Sequence, residues 1–375
     1  MSDKSRIEWT DATWNPVTGC KIVSPGCINC YAMKLAGTRL RHHPSRSGLT
    51  IDTKAGAVWN GEVRFNEEWL DQPIRWKKPR RIFVCAHGDL FAEGVEDAWL
   101  DKIFAVMACS RQHIFQVLTK RPQRMHDYLR TRMLSHRLAA TIGAFDFDVP
   151  DELHFPNLPL PHVWLGVSVE DQARAIERIP LLLSTPASVR WISAEPLLGP
   201  LNLESIDLNG GGNVDALNIR MWEDEIANWR DSDEDWKEQF LDWYGLADLP
   251  EGPMSPILDW VVAGGESGPS ARPMHPDWAR SIRDHCTAAE VPFFFKQWGE
   301  WVPQVGAVDG WSIGDNPEIS RFDHRDWEGG QWSEPYRPAW CDDIEDDTVS
   351  RIGKRNAGRT LDGREHNDMP GDRHG

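Results

Sequence analysis

His113-Ile114-Phe115-Gln116-Val117-Leu118-Thr119-Lys120-Arg121-Pro122 is an apolar, β-branched run that turns polar and then opens into a helix-compatible stretch. It has the length of a strand, and it lacks the apolar–polar alternation of a half-exposed one. Five more segments follow the same plan: 81–86 (RIFVCA), 162–168 (HVWLGVS), 189–194 (VRWISA), 258–264 (LDWVVAG) and 291–296 (VPFFFK). Amphipathic helical stretches lie between them, over 97–112, 121–138, 171–185 and 276–289. Strand–helix alternation of this kind predicts βα units around a buried parallel sheet. The expected fold class is α/β, a partial (β/α) barrel of about six or seven parallel strands.

The ends of these runs share a property. Each is followed by polar residues: His87 and Asp89; Thr119 and Lys120; Ser168 and Glu170; Ser193 and Glu195; Gly265, Glu266 and Ser267; Lys296 and Gln297. Strands must end in something polar, so one such cluster means little. Six in register are what the active-site face of a (β/α) barrel looks like. Gly264-Gly265-Glu266-Ser267-Gly268 reads either as a tight βα turn or as a glycine loop that lets a ligand approach the backbone. It is not a full dinucleotide fingerprint. Glu195 and Asp89 offer further carboxylates, and Lys120, Arg121 and Lys296 offer anchors for a carboxylate or phosphate.

The densest chemistry lies near the amino end, in Gly19-Cys20-Lys21-Ile22-Val23-Ser24-Pro25-Gly26-Cys27-Ile28-Asn29-Cys30-Tyr31-Ala32. The spacing is C-x6-C-x2-C. The segment 14–19 reads as a short extended piece and 31–40 as a helix, so the loop would follow the first strand and share the face of the other polar ends. Three thiolates from one loop can hold a metal or cluster but cannot saturate a four-coordinate site. Beside plain unligated thiols, two metal readings stay open. One is a [4Fe–4S] cluster with a vacant iron. The other is structural zinc, with a fourth ligand from His42, His43 or Cys85. Cys85, Cys109 and Cys286 otherwise read as small core residues, and Cys341 as a free thiol in the polar tail.

Composition bounds the rest. The chain has 375 residues, 40% of them hydrophobic, and seven cysteines, an odd number that favours metal binding over disulfides in a reducing compartment. No apolar run is long enough to span a bilayer, and the first residues lack the apolar core of a signal peptide. A cytoplasmic location and no membrane association are the expectations. The net charge of −17 is uneven: residues 1–140 carry 22 Lys+Arg against 14 Asp+Glu, and the remainder 19 against 44. A basic amino-terminal half suits a phosphate-bearing partner, although the same charges also suit solvated helix faces. Most of the 20 tryptophans, Trp164, Trp191 and Trp260 among them, have core spacing.

The expected organisation is a barrel-like catalytic domain over 1–204 and 258–302, an acidic helical insertion over 205–257, and a partly mobile carboxyl-terminal extension over 303–375. The insertion carries 13 Asp+Glu against 3 Lys+Arg and has Trp222, Ile226, Trp229, Trp236, Phe240 and Trp243 near helical spacing.

Several strings, in order, resemble one family. They are Trp14-Asn15-Pro16-Val17-Thr18-Gly19-Cys20 with the loop up to Ala32, Asp89-Leu90-Phe91, Leu118-Thr119-Lys120-Arg121-Pro122, Leu165-Gly166-Val167-Ser168-Val169-Glu170, Ser193-Ala194-Glu195-Pro196-Leu197-Leu198-Gly199-Pro200, Gly264-Gly265-Glu266-Ser267-Gly268 and Phe295-Lys296-Gln297-Trp298-Gly299. Together they resemble the phage Gp37/Gp68-type three-cysteine-motif family, itself similar to radical S-adenosylmethionine (SAM) enzymes. That resemblance implies a radical SAM-like barrel in which Cys20, Cys27 and Cys30 ligate a [4Fe–4S] cluster that reduces bound SAM to a 5′-deoxyadenosyl radical. On this reading Asp89, Lys120 and Glu195 are catalytic candidates, and Ser168, Glu170, Gly264, Gly265 and Glu266 are cofactor-binding candidates.

The implied substrate is a nucleic-acid base or modified nucleotide in a phage-related setting such as DNA modification. The sequence departs from the usual radical SAM pattern in three places. Six residues rather than three separate the first two cysteines. Asn29 rather than an aromatic precedes Cys30. The second strand ends in His87-Gly88-Asp89 where a glycine-rich SAM-amine motif is usual. The non-catalytic alternative is a zinc-stabilised protein that binds nucleic acid or a partner protein.

Overall fold

The computed structural model of the protein describes residues 5, 7–146, 155–207, 213–218, 257–303, 323–335 and 348–371. Seven strands form one parallel sheet, an open half-barrel, in the order in which they occur along the chain. They are β1 (Ala12–Trp14), β2 (Arg81–Val84), β3 (Ile114–Thr119), β4 (Val163–Ser168), β5 (Val189–Ala194), β6 (Trp260–Gly264) and β7 (Phe293–Gln297). All six runs read as strands from sequence are strands. The helices between them are α1 (Tyr31–Gly37), α2 (Asp97–Cys109), α3 (Pro122–Leu129), α4 (Leu134–Gly143), α5 (Gln172–Leu183) and α6 (Pro276–Ala288). The chain divides into two compact units. Met1–Ser168, Glu177–Trp191 and Ile219–Leu258 form the first; Val169–Ile176, Ile192–Asn218 and Asp259–Gly375 form the second.

Two boundaries differ from expectation for physical reasons. The first strand ends at Trp14 rather than running on to Gly19. Pro16 has no N–H to give a ladder, and Val17–Thr18 turns aside to pair antiparallel with Arg64–Phe65. The chain returns at Gly19, which bridges Gly88 in parallel fashion, so the ends of β1 and β2 still lie side by side. The stretch expected as one helix over 121–138 is two. Tyr128 Oη donates to Asp101 Oδ1 at 3.0 Å, and Arg137 grips the same carboxylate at 2.7 and 3.0 Å. In one straight helix those two side chains would stand about 13 Å apart along the axis. The break after α3 lets both reach one acid on α2.

The core of the first unit is aromatic. Trp9 packs edge-on against Phe83 and Trp191, with ring centroids at 4.9 and 5.4 Å. Trp14 is fully buried and donates its indole N–H to the Trp69 carbonyl at 2.8 Å. Trp164, Trp191 and Trp260 are all buried, as their spacing predicts.

In the second unit α6 begins at Pro276, and the His275 side chain accepts from the Asp277 N–H at 3.2 Å. Trp301–Pro303, Val349–Arg351 and His324–Arg325 make a small antiparallel sheet. Within the extension expected to be partly mobile, residues 348–371 form a strand and a short helix and hydrogen-bond to the edge of β7. Of the predicted acidic insertion, only 205–207, 213–218 and 257 are described, and they include a short pair, Ile206–Asp207 with Asn213–Val214. Its expected helical part lies outside the described residues. Among the described residues no helix is long and apolar enough to cross a membrane.

Trp191 is completely buried. Its replacement by Ala should destabilise the protein by about 3–5 kcal/mol, seen as a lower urea midpoint with little change in slope.

Candidate functional site

The cysteine loop follows β1 in the first unit. It begins at Gly19, whose φ is +94° and whose missing Cβ would stand 2.2 Å from the Glu62 carbonyl oxygen. No side chain fits there, so glycine is required for the turn that delivers Cys20. Cys27 ends a single 3-10 turn, Pro25–Cys27, with its Sγ 3.8 Å from Ser24 Oγ. Cys30 immediately precedes α1, and its sulfur faces the N–H groups of Ala32 and Met33. All three are free thiols.

Each of these sulfurs feels the others. Burial pushes the Cys20 thiol up to about 12. Asp89, Cys30 and Cys27 push the same way, and Arg121 opposes them. Burial also raises Cys30, against the pull of the α1 N–H groups and the Lys120 ammonium. Without a metal these two are therefore neutral thiols near neutral pH. A thiol ligates only as a thiolate, so metal uptake would release protons and strengthen as pH rises.

The first unit brings the loop together with the ends of β2 and β3. Arg121, only 8% exposed, donates from Nη1 to Cys20 Sγ at 3.4 Å and to Asp89 Oδ2 at 3.1 Å. Its Nη2 donates to the Lys21 carbonyl at 3.0 Å and to Glu93 at 3.3 Å. Burial would lower the guanidinium's pKa, but Asp89, Cys20 and Glu93 outweigh it and hold the charge. Asp89 is 5% exposed and saturated. Oδ1 accepts from Thr119 Oγ1 at 2.6 Å and the Phe91 N–H at 3.0 Å; Oδ2 also accepts the Lys120 N–H at 3.0 Å. With these four hydrogen bonds engaged, Asp89 orients its neighbours. The Lys120 ammonium makes no ion pair among the described residues, and its charge reaches Cys30.

The remaining zinc candidates are spread. His42 is exposed, and His43 Nδ1 is 2.7 Å from Ser45 Oγ. Cys85 is buried, with φ +57°, and its sulfur faces the Val17 N–H. Among the described residues no group of three His, Cys, Asp or Glu side chains is arranged to hold a metal ion. Ser168, at the end of β4, is buried and its carbonyl accepts from Arg178 at 2.9 Å.

The other candidates belong to the second unit. Lys296 Nζ donates to both oxygens of Glu195 at 2.8 Å, and Gln297 Nε2 donates to Glu195 Oε1 at 3.0 Å. Gly265 N–H donates to the Gln297 carbonyl at 2.8 Å. A Cβ on Gly265 would lie 1.9 Å from the Trp298 carbonyl oxygen, so this glycine serves close packing of the loop after β6 on the end of β7. Glu266 is taken by Arg272, through the backbone N–H at 2.8 Å, Nε at 2.9 Å and Nη2 at 2.6 Å. A ligand amine or ribose would have to compete with that clamp. Glu170 is buried, and its carbonyl accepts from Leu198 at 2.7 Å. Arg272 escaped sequence reading, as did Arg46, which pairs with His87. Neither lies at a strand end, so the polar strand ends do not point to them.

Residues 4–370 match the family described as Protein of unknown function (DUF5131). The chain belongs to that family. No curated protein and no solved structure matches it. The DUF5131 match spans the cysteine loop, the Arg121 network and the Glu195–Lys296 pair alike.

Arg121→Met would strand a buried carboxylate. It should cost about 3–5 kcal/mol in chemical denaturation, whereas Glu93→Gln, at an exposed side chain, should change stability by less than about 0.5 kcal/mol.

Proposed function

We propose that this protein is a radical SAM-like iron–sulfur enzyme acting on a nucleic-acid base or modified nucleotide. One observation carries the reading: three free thiols lie in one loop at the carboxyl end of the first strand of a parallel half-barrel, within electrostatic reach of one another. The donors fit a cluster in kind. They are soft, they are three, and burial makes the Cys20 and Cys30 thiolates costly unless a positively charged centre is added. Cys20, Cys27 and Cys30 would hold a [4Fe–4S] cluster, whose chemistry would be to supply an electron to SAM.

The chain's own residues do the rest. Arg121 fixes the start of the loop through the Lys21 carbonyl and offsets the charge of the Cys20 thiolate. Asp89 holds Arg121 in place, and Lys120 adds a second cation on the side of Cys30. Ser168 lies at the end of β4 as a candidate cofactor contact. In the second unit the same reading makes Glu195, paired with Lys296, a proton-handling group, and makes Glu170, Gly264, Gly265 and Glu266 cofactor contacts. The excess of basic residues over 1–140 supports a phosphate-bearing substrate.

Protein prepared without oxygen should be brown and carry about four irons per chain. Cys27→Ala should lose most of that iron, and reduction with SAM should release 5′-deoxyadenosine. Colourless protein with one zinc, or a Cys27→Ala variant that keeps its iron, would reject the assignment. Nucleic-acid binding should weaken steeply with salt; salt-insensitive binding would remove that substrate class.

A further inference from the structure

Arg46 is 5% exposed, yet no carboxylate pairs with it among the described residues. Its Nη1 donates to Ser45 Oγ, and its Nη2 lies 2.9 Å from His87 Nδ1. The guanidinium rests over the Trp69 ring, 5.6 Å from the centroid, and its Nε has no partner. A buried cation is expensive, and here a histidine ring stands where an acid would be expected.

An arginine only donates. The 2.9 Å contact therefore requires a lone pair on His87 Nδ1, and the neutral ring must carry its proton on Nε2. The backbone of His87 is held on both sides: its N–H donates to Asn15 Oδ1 at 2.9 Å, and its carbonyl accepts from Gly19 at 3.3 Å. Tyr31 meets the ring edge-on at 6.0 Å, while its hydroxyl donates to the Ala86 carbonyl. His87 Nε2 makes no hydrogen bond to a described residue.

The charged and titratable groups around this pair are few. Arg39 and Arg46 face His87, and Cys85 and Tyr31 face Arg46. Among the described residues none is a carboxylate. Burial and then Arg46 bring His87 down to about 4. Protonation would place an N–H against the guanidinium, so the ring stays neutral across the physiological range.

We propose that Arg46 is a positioning residue that fixes His87 as a neutral imidazole with its proton on Nε2, a permanent uncharged donor at the carboxyl end of β2 for an oxygen or nitrogen lone pair of a bound small molecule. His87 is then neither a general base nor a charge switch, since its accepting nitrogen is occupied. That the small molecule is SAM rests on the function proposed above; the state of the ring does not.

The test begins with iron-free protein labelled with 15N in histidine, with His87→Gln used to assign the signals. His87 should show an unprotonated Nδ1 and a protonated Nε2, with no titration between about pH 8 and pH 5. Arg46→Met should raise the midpoint toward, but not to, the ordinary value of about 6.5, because burial still holds the ring down, and Arg46→Lys, which keeps a donor, should return it part of the way down. A ring that titrates near 6.5 in the parent protein, or carries its proton on Nδ1, overturns the proposal.

The second arm is equilibrium binding of SAM to the iron-loaded protein. His87→Leu should weaken it about 3- to 10-fold, and His87→Gln, whose amide can donate from a similar place, should recover most of the loss. Equal affinity in the parent and the Leu variant overturns the assignment of the donor to that ligand. If the iron-loaded parent does not bind SAM, the enzymatic reading fails, and the NMR result alone decides the tautomer.

Discussion

A single buried guanidinium holds the carboxyl ends of three strands together. Arg121, just past β3, reaches Cys20 and the Lys21 carbonyl beyond β1, and Asp89 and Glu93 beyond β2. Burying a charge without a partner costs several kcal/mol, so the placement is tolerable only because Asp89 is buried beside it and itself receives three further hydrogen bonds. The pair is interdependent: each member's desolvation is offset by the other. The cysteine loop inherits this rigidity. Its first thiol sits against the guanidinium, so its position depends on a pair whose members lie 69 (Asp89) and 101 (Arg121) positions further along the sequence.

Much of the fold was legible in the chain because the strands are buried on both faces. Runs such as 162–168 and 189–194 announce themselves by continuous apolarity, and their polar ends mark where the chain leaves the sheet. Pro16 and the Asp101 clamp set the two boundaries that differ. The first was visible as a proline. The second was not, because a hydrogen bond between side chains on separate helices leaves no trace in periodicity.

The candidate site was legible in its residues but less so in their states. Spacing singled out Cys20, Cys27 and Cys30, and strand ends singled out Asp89, Lys120, Glu195 and Glu266. What sequence could not supply was who occupies whom. Asp89 is saturated, Glu266 is clamped by Arg272, and Glu195 is neutralised by Lys296. A carboxylate at a strand end reads as an available base until its partners are known. Arg46 was the hardest to anticipate. Its significance lies in having no acid beside it among the described residues, and that is a property of three-dimensional surroundings.

The last strand of the sheet has an outer neighbour. Phe295 N–H donates to the His366 carbonyl at 3.0 Å, Phe294 bridges Asn367 in antiparallel fashion, and the Trp260 indole N–H donates to the Asp368 carbonyl at 2.9 Å. Open sheet margins offer unpaired amides and carbonyls on which a second chain can template itself. Here residues 366–368 of the same chain fill those valences and cap the ladder, so on that side growth by strand addition is forestalled from within the molecule.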